Sequence, residues 1–265
     1  MSDLELVFDG AVARLRFNAP ARRNAINRAA WRALPDACAA IAARAEALVV
    51  TVEGAGGHFS AGADIGEFDA VYRDAAATRD YVDAMQAGLA ALASLDRPTV
   101  AALAGAAVGG GLAAAICCDL RFAADDAHLA ITPARLGLLY GPIETGRLVA
   151  LVGPARAKDL LFSGRRIDPA EALAIGLVDR VTPAAELHGA VATYAAELAG
   201  ASQRSIRGAK RMVEALAAGA AVDDPRLRAE VEDAALGEDF REGRAAFAEK
   251  RAPLFTFRGA TKPIP

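Results

Sequence analysis

Apolar and polar residues alternate from Leu4 to Phe17 on either side of Asp9-Gly10, the pattern of an antiparallel hairpin with one buried face. Asn27, a good helix N-cap, then opens a stretch with helical spacing that runs to about Arg44. "ALVVTVEG" (47–54) is apolar at consecutive, largely β-branched positions and closed by glycine, which predicts a strand buried on both faces. The same signals place a helix over about 74–95, a buried strand at "PTVAALAG" (98–105), a helix after Gly109-Gly110-Gly111, and a strand at "DLRFAAD" (119–125). This half reads as a βα repeat. From about Gly141 helical signals dominate, punctuated at Gly153-Pro154, with helix starts at Asp168-Pro169 and Thr182-Pro183 and one short strand, "GLVDRV", between them. An α/β core over residues 1–200 and a helical C-terminal subdomain over 201–265 follow, with no Pro/Ser/Gly-rich linker separating them.

Composition narrows the function. With 265 residues and 54% hydrophobic content the chain can bury a large core, and its net charge is only −3. The 30 basic residues are scattered, at most in pairs such as Arg22-Arg23 and Lys210-Arg211, so nucleic acid is not an expected partner. The uncharged run from Thr99 to Cys118 is long enough for a membrane span, but it is weakly apolar and glycine interrupts it, so a strand, a turn and a buried helix are expected instead. Cys38 and the adjacent Cys117 and Cys118 have neither disulfide nor metal-ligand spacing. Together with the acidic start, Met1-Ser2-Asp3-Leu4-Glu5, they point to a cytoplasmic protein with reduced thiols and no metal.

Two glycine loops carry the candidate chemistry. Gly109 to Ala114 satisfies G-x-G-x-x-A between a strand and a helix, the spacing of a dinucleotide fingerprint, but such a fingerprint belongs on the first strand of its fold and here, after the hairpin, two strands and two helices already precede it. "GGHFSAGADI" (56–65) is a second loop of the same kind. Two loops with unencumbered backbone N–H groups, one after Gly62 and one within the triple glycine, can converge on a carbonyl oxygen that becomes an oxyanion or enolate, with the helix opening at Gly110 adding positive potential.

The blocks "ARRNAIN" (21–27), "HFSAGADI" (58–65), "DRPTVAALAGAAVGGGLAAAICCDLRFAAD" (96–125), "LVGPARAKDLLFSGRRIDPAEALAIGLVDRV" (151–181) and "EKRAPLF" (249–255) together resemble the enoyl-CoA hydratase/isomerase family, the crotonase superfamily. The resemblance spans nearly the whole chain. It implies a spiral of ββα turns followed by helices that assemble a homotrimer or a dimer of trimers. It also implies an acyl-CoA substrate, with coenzyme A entering as part of that substrate and no separate cofactor. The N–H groups of Ala63 and Gly110 would form the oxyanion hole, beside Gly109. Ala61, Asp64 and Ile65 would bind the adenine end of CoA, Arg22 and Ala25 its pantetheine and phosphate path, and Lys250 its phosphates, within the chain or across a subunit boundary. On the residues alone, Asp64 reads as a structural hydrogen-bonder at a loop-to-helix turn, Glu67 and Asp69 as solvated, and His58 and His128 as histidines without an identifiable partner.

In family hydratases two glutamates hold and deprotonate water; here their positions carry Ala113 and Pro133, neither of which transfers a proton. Subtraction leaves Tyr140 and Glu144, in "ITPARLGLLYGPIETGRL" (131–148), as the ionisable groups nearest the expected acyl site, with Pro133 shaping it. Glu144 equally reads as an acid stabilising a helix N-terminus. A hydratase/isomerase-type lyase is therefore expected. Two alternatives stay open: a decarboxylase similar to methylmalonyl-CoA decarboxylase, suggested by the order Thr132-Pro133, Leu136-Gly137, Tyr140, and a CoA-thioester binding protein without turnover. Decarboxylases of this kind can carry histidine where this chain has Ala63.

Overall fold

A computed structural model describes residues 3–259. The hairpin β1 (Leu4–Asp9) and β2 (Val12–Phe17) leads to α1 (Arg28–Ala43), β3 (Val49–Gly54), α2 (Phe68–Val71), α3 (Ala75–Ala93), β4 (Thr99–Leu103), β5 (Ala106–Val108) and α4 (Gly110–Ile116). Strands β6 (Leu120–Ala124) and β7 (His128–Ala130) precede α5 (Pro142–Ser163), β8 (Arg166–Ile167), α6 (Pro169–Ala174), β9 (Arg180–Thr182) and α7 (Leu187–Gly200). Helices α8 (Gln203–Ala217), α9 (Pro225–Leu236) and α10 (Glu238–Glu249) are the last elements of the described residues.

The strands form a six-stranded sheet, β1-β2-β3-β4-β6-β9, and a three-stranded sheet, β5-β7-β8. The hairpin is antiparallel and closes at Asp9 opposite Val12, whereas β2, β3, β4, β6 and β9 pair in parallel. Burial follows the predicted pattern: β2 alternates along its length, and β4 is buried at every position. Trp31, Leu34 and Ile41 of α1 and Leu89 and Leu92 of α3 pack together in this core, where each buried side chain of that size contributes ~1.5–3 kcal/mol. The Asn27 side chain accepts a hydrogen bond from Ala30 N and fixes the start of α1. Helix α5 is broken at Gly153, whose φ of 77° no continuing helix adopts, at the predicted Gly-Pro punctuation.

The small sheet is what the sequence pattern did not reveal. Its strands are two or three residues long, β5 lies in an Ala/Gly run with Val108 as its one β-branched residue, and its pairing with His128–Ala130 is fixed by tertiary packing. Two side chains also find partners that local reading missed. Glu67 accepts a hydrogen bond from Arg28 N at the start of α1 instead of standing in solvent, and His58 Nδ1 accepts one from Ala106 N, so it is a structural histidine. Helix α8 is tied to the core by Lys210, whose Nζ lies 2.8 Å from Asp119 Oδ2 and 3.0 Å from Arg97 O. Among the described residues no helix is long and apolar enough to cross a membrane, and no group of His, Cys, Asp or Glu is placed to hold a metal ion.

Candidate active site

The 60–64 segment runs between two backbones. On one side Ser60 bridges Ala107 of β5, with Ser60 N donating to Ala106 O and Val108 N to Ser60 O. On the other, Ile26 bridges Ala63, with Ile26 N donating to Gly62 O and Asp64 N to Ile26 O. Because a parallel bridge uses the residues flanking Ala63, the N–H of Ala63 itself faces away from Ile26. There β5 has ended and the chain has turned at Gly109 into α4. The N–H groups of Ala63 and Gly110 donate to no acceptor among the described residues. They are close: a Cβ placed on Gly110 would stand 3.5 Å from Ala63 N and 3.2 Å from Trp31 Cζ2.

Glycine is required where these loops meet. Gly62 has φ +101° and Gly109 φ +51°, both in the region L side chains avoid, and a Cβ on Gly62 would come within 2.8 Å of Val108 O. At Gly111 the limit is space, since a Cβ would lie 2.7 Å from Ser60 O. Helix α4 spans only seven residues, so its electrostatic contribution is confined to its first-turn N–H groups.

Above this point lies the segment after β7. Pro133 opens a 3-10 turn that ends at Gly137, and Thr132 Oγ1 stands 3.2 Å from where a Gly109 Cβ would be. Tyr140 Oη donates to Gly109 O at 2.7 Å. Burial, and then the Glu144 carboxylate, hold the Tyr140 phenol well above its ordinary pKa, so it remains a donor. Glu144 is buried, 1% exposed, in the first turn of α5. One carboxylate oxygen accepts from Gly141 N and the other from Gln86 Nε2 of α3 at 2.8 Å. Ala113 is buried in α4. Burial pushes the Cys38 and Cys117 thiols up to about 12 and Cys118 higher still, which removes all three as thiolate nucleophiles.

The other predicted contacts divide. Asp64 Oδ1 accepts from Gly66 N at the loop-to-helix turn, and its Oδ2 lies 3.3 Å from Arg22 Nε, so Arg22 and Asp64 form one rim, which also reaches Asp3. Ala61 N donates to Arg23 O and Ala25 N to Arg22 O, leaving both side chains half-buried beside that rim, while Ile65 is exposed. Lys250 is exposed at the end of α10, and no hydrogen bond or ion pair among the described residues joins it to these loops. Sequence reasoning missed Trp31 beneath Gly110 and Gln86 beside Glu144. Trp31 looks like any core aromatic on an apolar helix face, and a lone glutamine within α3 gives no sign of its partner.

The enoyl-CoA hydratase/isomerase family model matches residues 8–258. A curated relative, "Probable enoyl-CoA hydratase echA8" of Mycobacterium tuberculosis, is 36% identical over 255 residues, covering 94% of this chain and 96% of that protein. The peroxisomal Delta(3,5)-Delta(2,4)-dienoyl-CoA isomerase of Arabidopsis thaliana is 28% identical over 216 residues, covering 77% of this chain and 78% of that protein. Among solved structures, an enoyl-CoA hydratase/isomerase family protein from Hyphomonas neptunium superposes with a TM-score of 0.94 at 36% identity, covering 97% of this chain and 98% of that one. With the crotonase fold present and the family model spanning almost its whole length, the chain belongs to the enoyl-CoA hydratase/isomerase family.

Proposed function

We propose that this protein binds acyl-CoA thioesters and stabilises a thioester enolate or oxyanion between the N–H groups of Ala63 and Gly110, in a hydratase/isomerase-type reaction. The observation that carries this reading is the pair of neighbouring N–H groups without acceptors, on loops whose glycines hold them there. Charge that develops on a thioester oxygen is stabilised by fixed donors, and each such donor contributes ~2.7–4 kcal/mol in the transition state. Arg22, with Asp64, Ala61, Ala25 and Ile65, would receive the CoA moiety at the rim. Coenzyme A enters as part of the substrate, and no separate cofactor is invoked.

Proton transfer falls to Glu144, because on the family resemblance Ala113 and Pro133 stand where hydratases carry their glutamates, and Tyr140 commits its proton to Gly109 O. A carboxylate enclosed in this way can serve as base or acid once substrate displaces one of its partners. A second reading, CO₂ release from a malonyl-type thioester, is favoured by the same two positions, since that reaction needs the hole and a group orienting the carboxylate more than it needs acids. The deciding experiment is a turnover screen across enoyl-, hydroxyacyl- and malonyl-type CoA thioesters. Turnover of an enoyl thioester supports the first reading and CO₂ release the second, whereas thioester binding without turnover makes the protein a binder.

The same reading includes a homotrimer or a dimer of trimers in the cytoplasm. Val213, Val231 and Phe247 on α8, α9 and α10 are 66%, 56% and 89% exposed, apolar surface that subunits would cover, while Leu227 of α9 is buried within the chain. Lys250, exposed at the end of α10, would meet a CoA phosphate within its own chain or from a neighbouring subunit. The three free cysteines fit a reducing compartment. Light scattering at micromolar concentration should give a trimer or hexamer mass, and a monomer would refute the assembly.

A further inference from the structure

The Gly109–Gly110 peptide is the one part of the hole whose two ends both face chemistry. Its N–H end, on Gly110, donates to no acceptor among the described residues. Its carbonyl end, on Gly109, accepts two hydrogen bonds: from Ala113 N at 2.9 Å, which opens α4, and from Tyr140 Oη at 2.7 Å. The peptide is trans, so its C=O and N–H point in opposite directions and a hydrogen bond at one end polarises the donor at the other. Gly109 lies between a strand and a short helix, with two glycines after it, and its N–H is held by Ala130 O at 2.9 Å. Tyr140 is itself held: Glu144 binds the next backbone N–H, that of Gly141, and Gln86 of α3 holds Glu144. A continuous line of contacts therefore runs from α3 through Gln86, Glu144, Gly141 and Tyr140 to the Gly109 carbonyl.

We propose that Tyr140 is a positioning residue of the oxyanion hole: its hydroxyl, bonded to Gly109 O, holds and polarises the Gly109–Gly110 peptide so that Gly110 N–H meets the thioester oxygen as a stronger donor. This rests on the assignment of Ala63 and Gly110 as the hole. Tyr140 then acts without touching substrate, and its hydroxyl strength sets how far the bound carbonyl is polarised. Loss of that hydroxyl lowers kcat by about 2- to 10-fold, the value of one neutral hydrogen bond, and leaves KM unchanged.

The test is infrared difference spectroscopy of butyryl-CoA, labelled with ¹³C at the thioester carbonyl and lacking the double bond needed for turnover, bound to the full chain. Wild-type protein should shift the carbonyl stretch to lower frequency. Tyr140→Phe should retain no more than about two-thirds of that shift with Kd within about 3-fold, and 3,5-difluorotyrosine at position 140, a stronger donor of nearly the same shape, should increase it. The fluorinated protein keeps the test decisive if Tyr140→Phe fails to fold. Equal shifts in wild-type and altered proteins overturn the positioning role while leaving the hole intact. A wild-type protein that binds butyryl-CoA without any shift overturns the hole assignment and the proposal with it. A Tyr140→Phe protein whose main loss is affinity places the hydroxyl on the substrate and also overturns the proposal.

Discussion

Gln86 Nε2 of α3 lies 2.8 Å from Glu144 Oε2 of α5, and the other oxygen of the same carboxylate caps Gly141 N. Replacement by glutamine can preserve both bonds, because Gln86 can turn its amide to accept from the new amide group. Glu144→Gln is therefore expected to keep its melting temperature within about 2–4 °C of wild type, equivalent to under ~1 kcal/mol. If Glu144 transfers the proton, kcat of Glu144→Gln falls by about 10²–10⁴-fold. Unchanged kcat would move proton handling elsewhere.

Glu144→Ala should behave differently. It removes the acceptor for Gly141 N and for Gln86 together and leaves two half-buried donors beside the space of a buried side chain. A loss of roughly 1–3 kcal/mol in urea unfolding is expected, with m unchanged.

Gly110→Pro deletes one hole donor at the first position of α4, where proline is tolerated. A drop in kcat of about 10²–10³-fold is expected on the best thioester, in protein whose circular dichroism matches wild type. Full activity in that folded variant would exclude Gly110 from the hole.

Arg22→Ala should separate the rim from the chemistry. Arg22 is linked to Asp64 and Asp3 and its side chain is 48% exposed, so stability should change by less than about 0.5 kcal/mol. The KM for a CoA thioester should rise, whereas the KM for the same acyl group on N-acetylcysteamine, which lacks the phosphates, should not. An equal rise for both would remove Arg22 from the CoA path.

His188 and Glu53 supply a pH test away from the site. The Glu53 hydrogen bond holds the His188 pKa above its ordinary value, burial opposing. For Glu53 burial acts upward, but His188, Arg14 and Arg16 outweigh it and bring the carboxyl below its usual range. A raised histidine stabilises the fold fully below its unfolded pKa of about 6.5, and this is lost as pH rises through the higher folded value. A lowered carboxylate stabilises above about 4.3 and is lost as pH falls through its folded value. The pair is therefore fully favourable between about pH 4.3 and 6.5. Because the His188 side chain is 56% exposed, screening limits it to about 0.2–1 kcal/mol. The melting temperature of wild type should exceed that of His188→Gln at pH 6, and the gap should close by pH 9; a constant gap would contradict the linkage.

Much of this protein was legible in its sequence because the relevant physics is local. Alternation around Asp9-Gly10, the Asn27 cap, the consecutive apolar runs of β3 and β4 and the Gly153-Pro154 break each act within a few residues. The glycines at 62 and 109–111 marked where backbones come close, and the blocks around them carried the family resemblance. Only the tertiary structure decided which N–H groups stay unpaired. That depends on Ile26 and β5 taking the opposite sides of the 60–64 segment, over separations that no periodicity encodes. It also gave Glu144 and Tyr140 their partners: Gln86 lies 58 positions before Glu144, and Gly109 lies 31 before Tyr140. A buried hydrogen bond needs its two groups within about 3 Å and aligned, a condition set by helix packing and loop path and not by the residues alone.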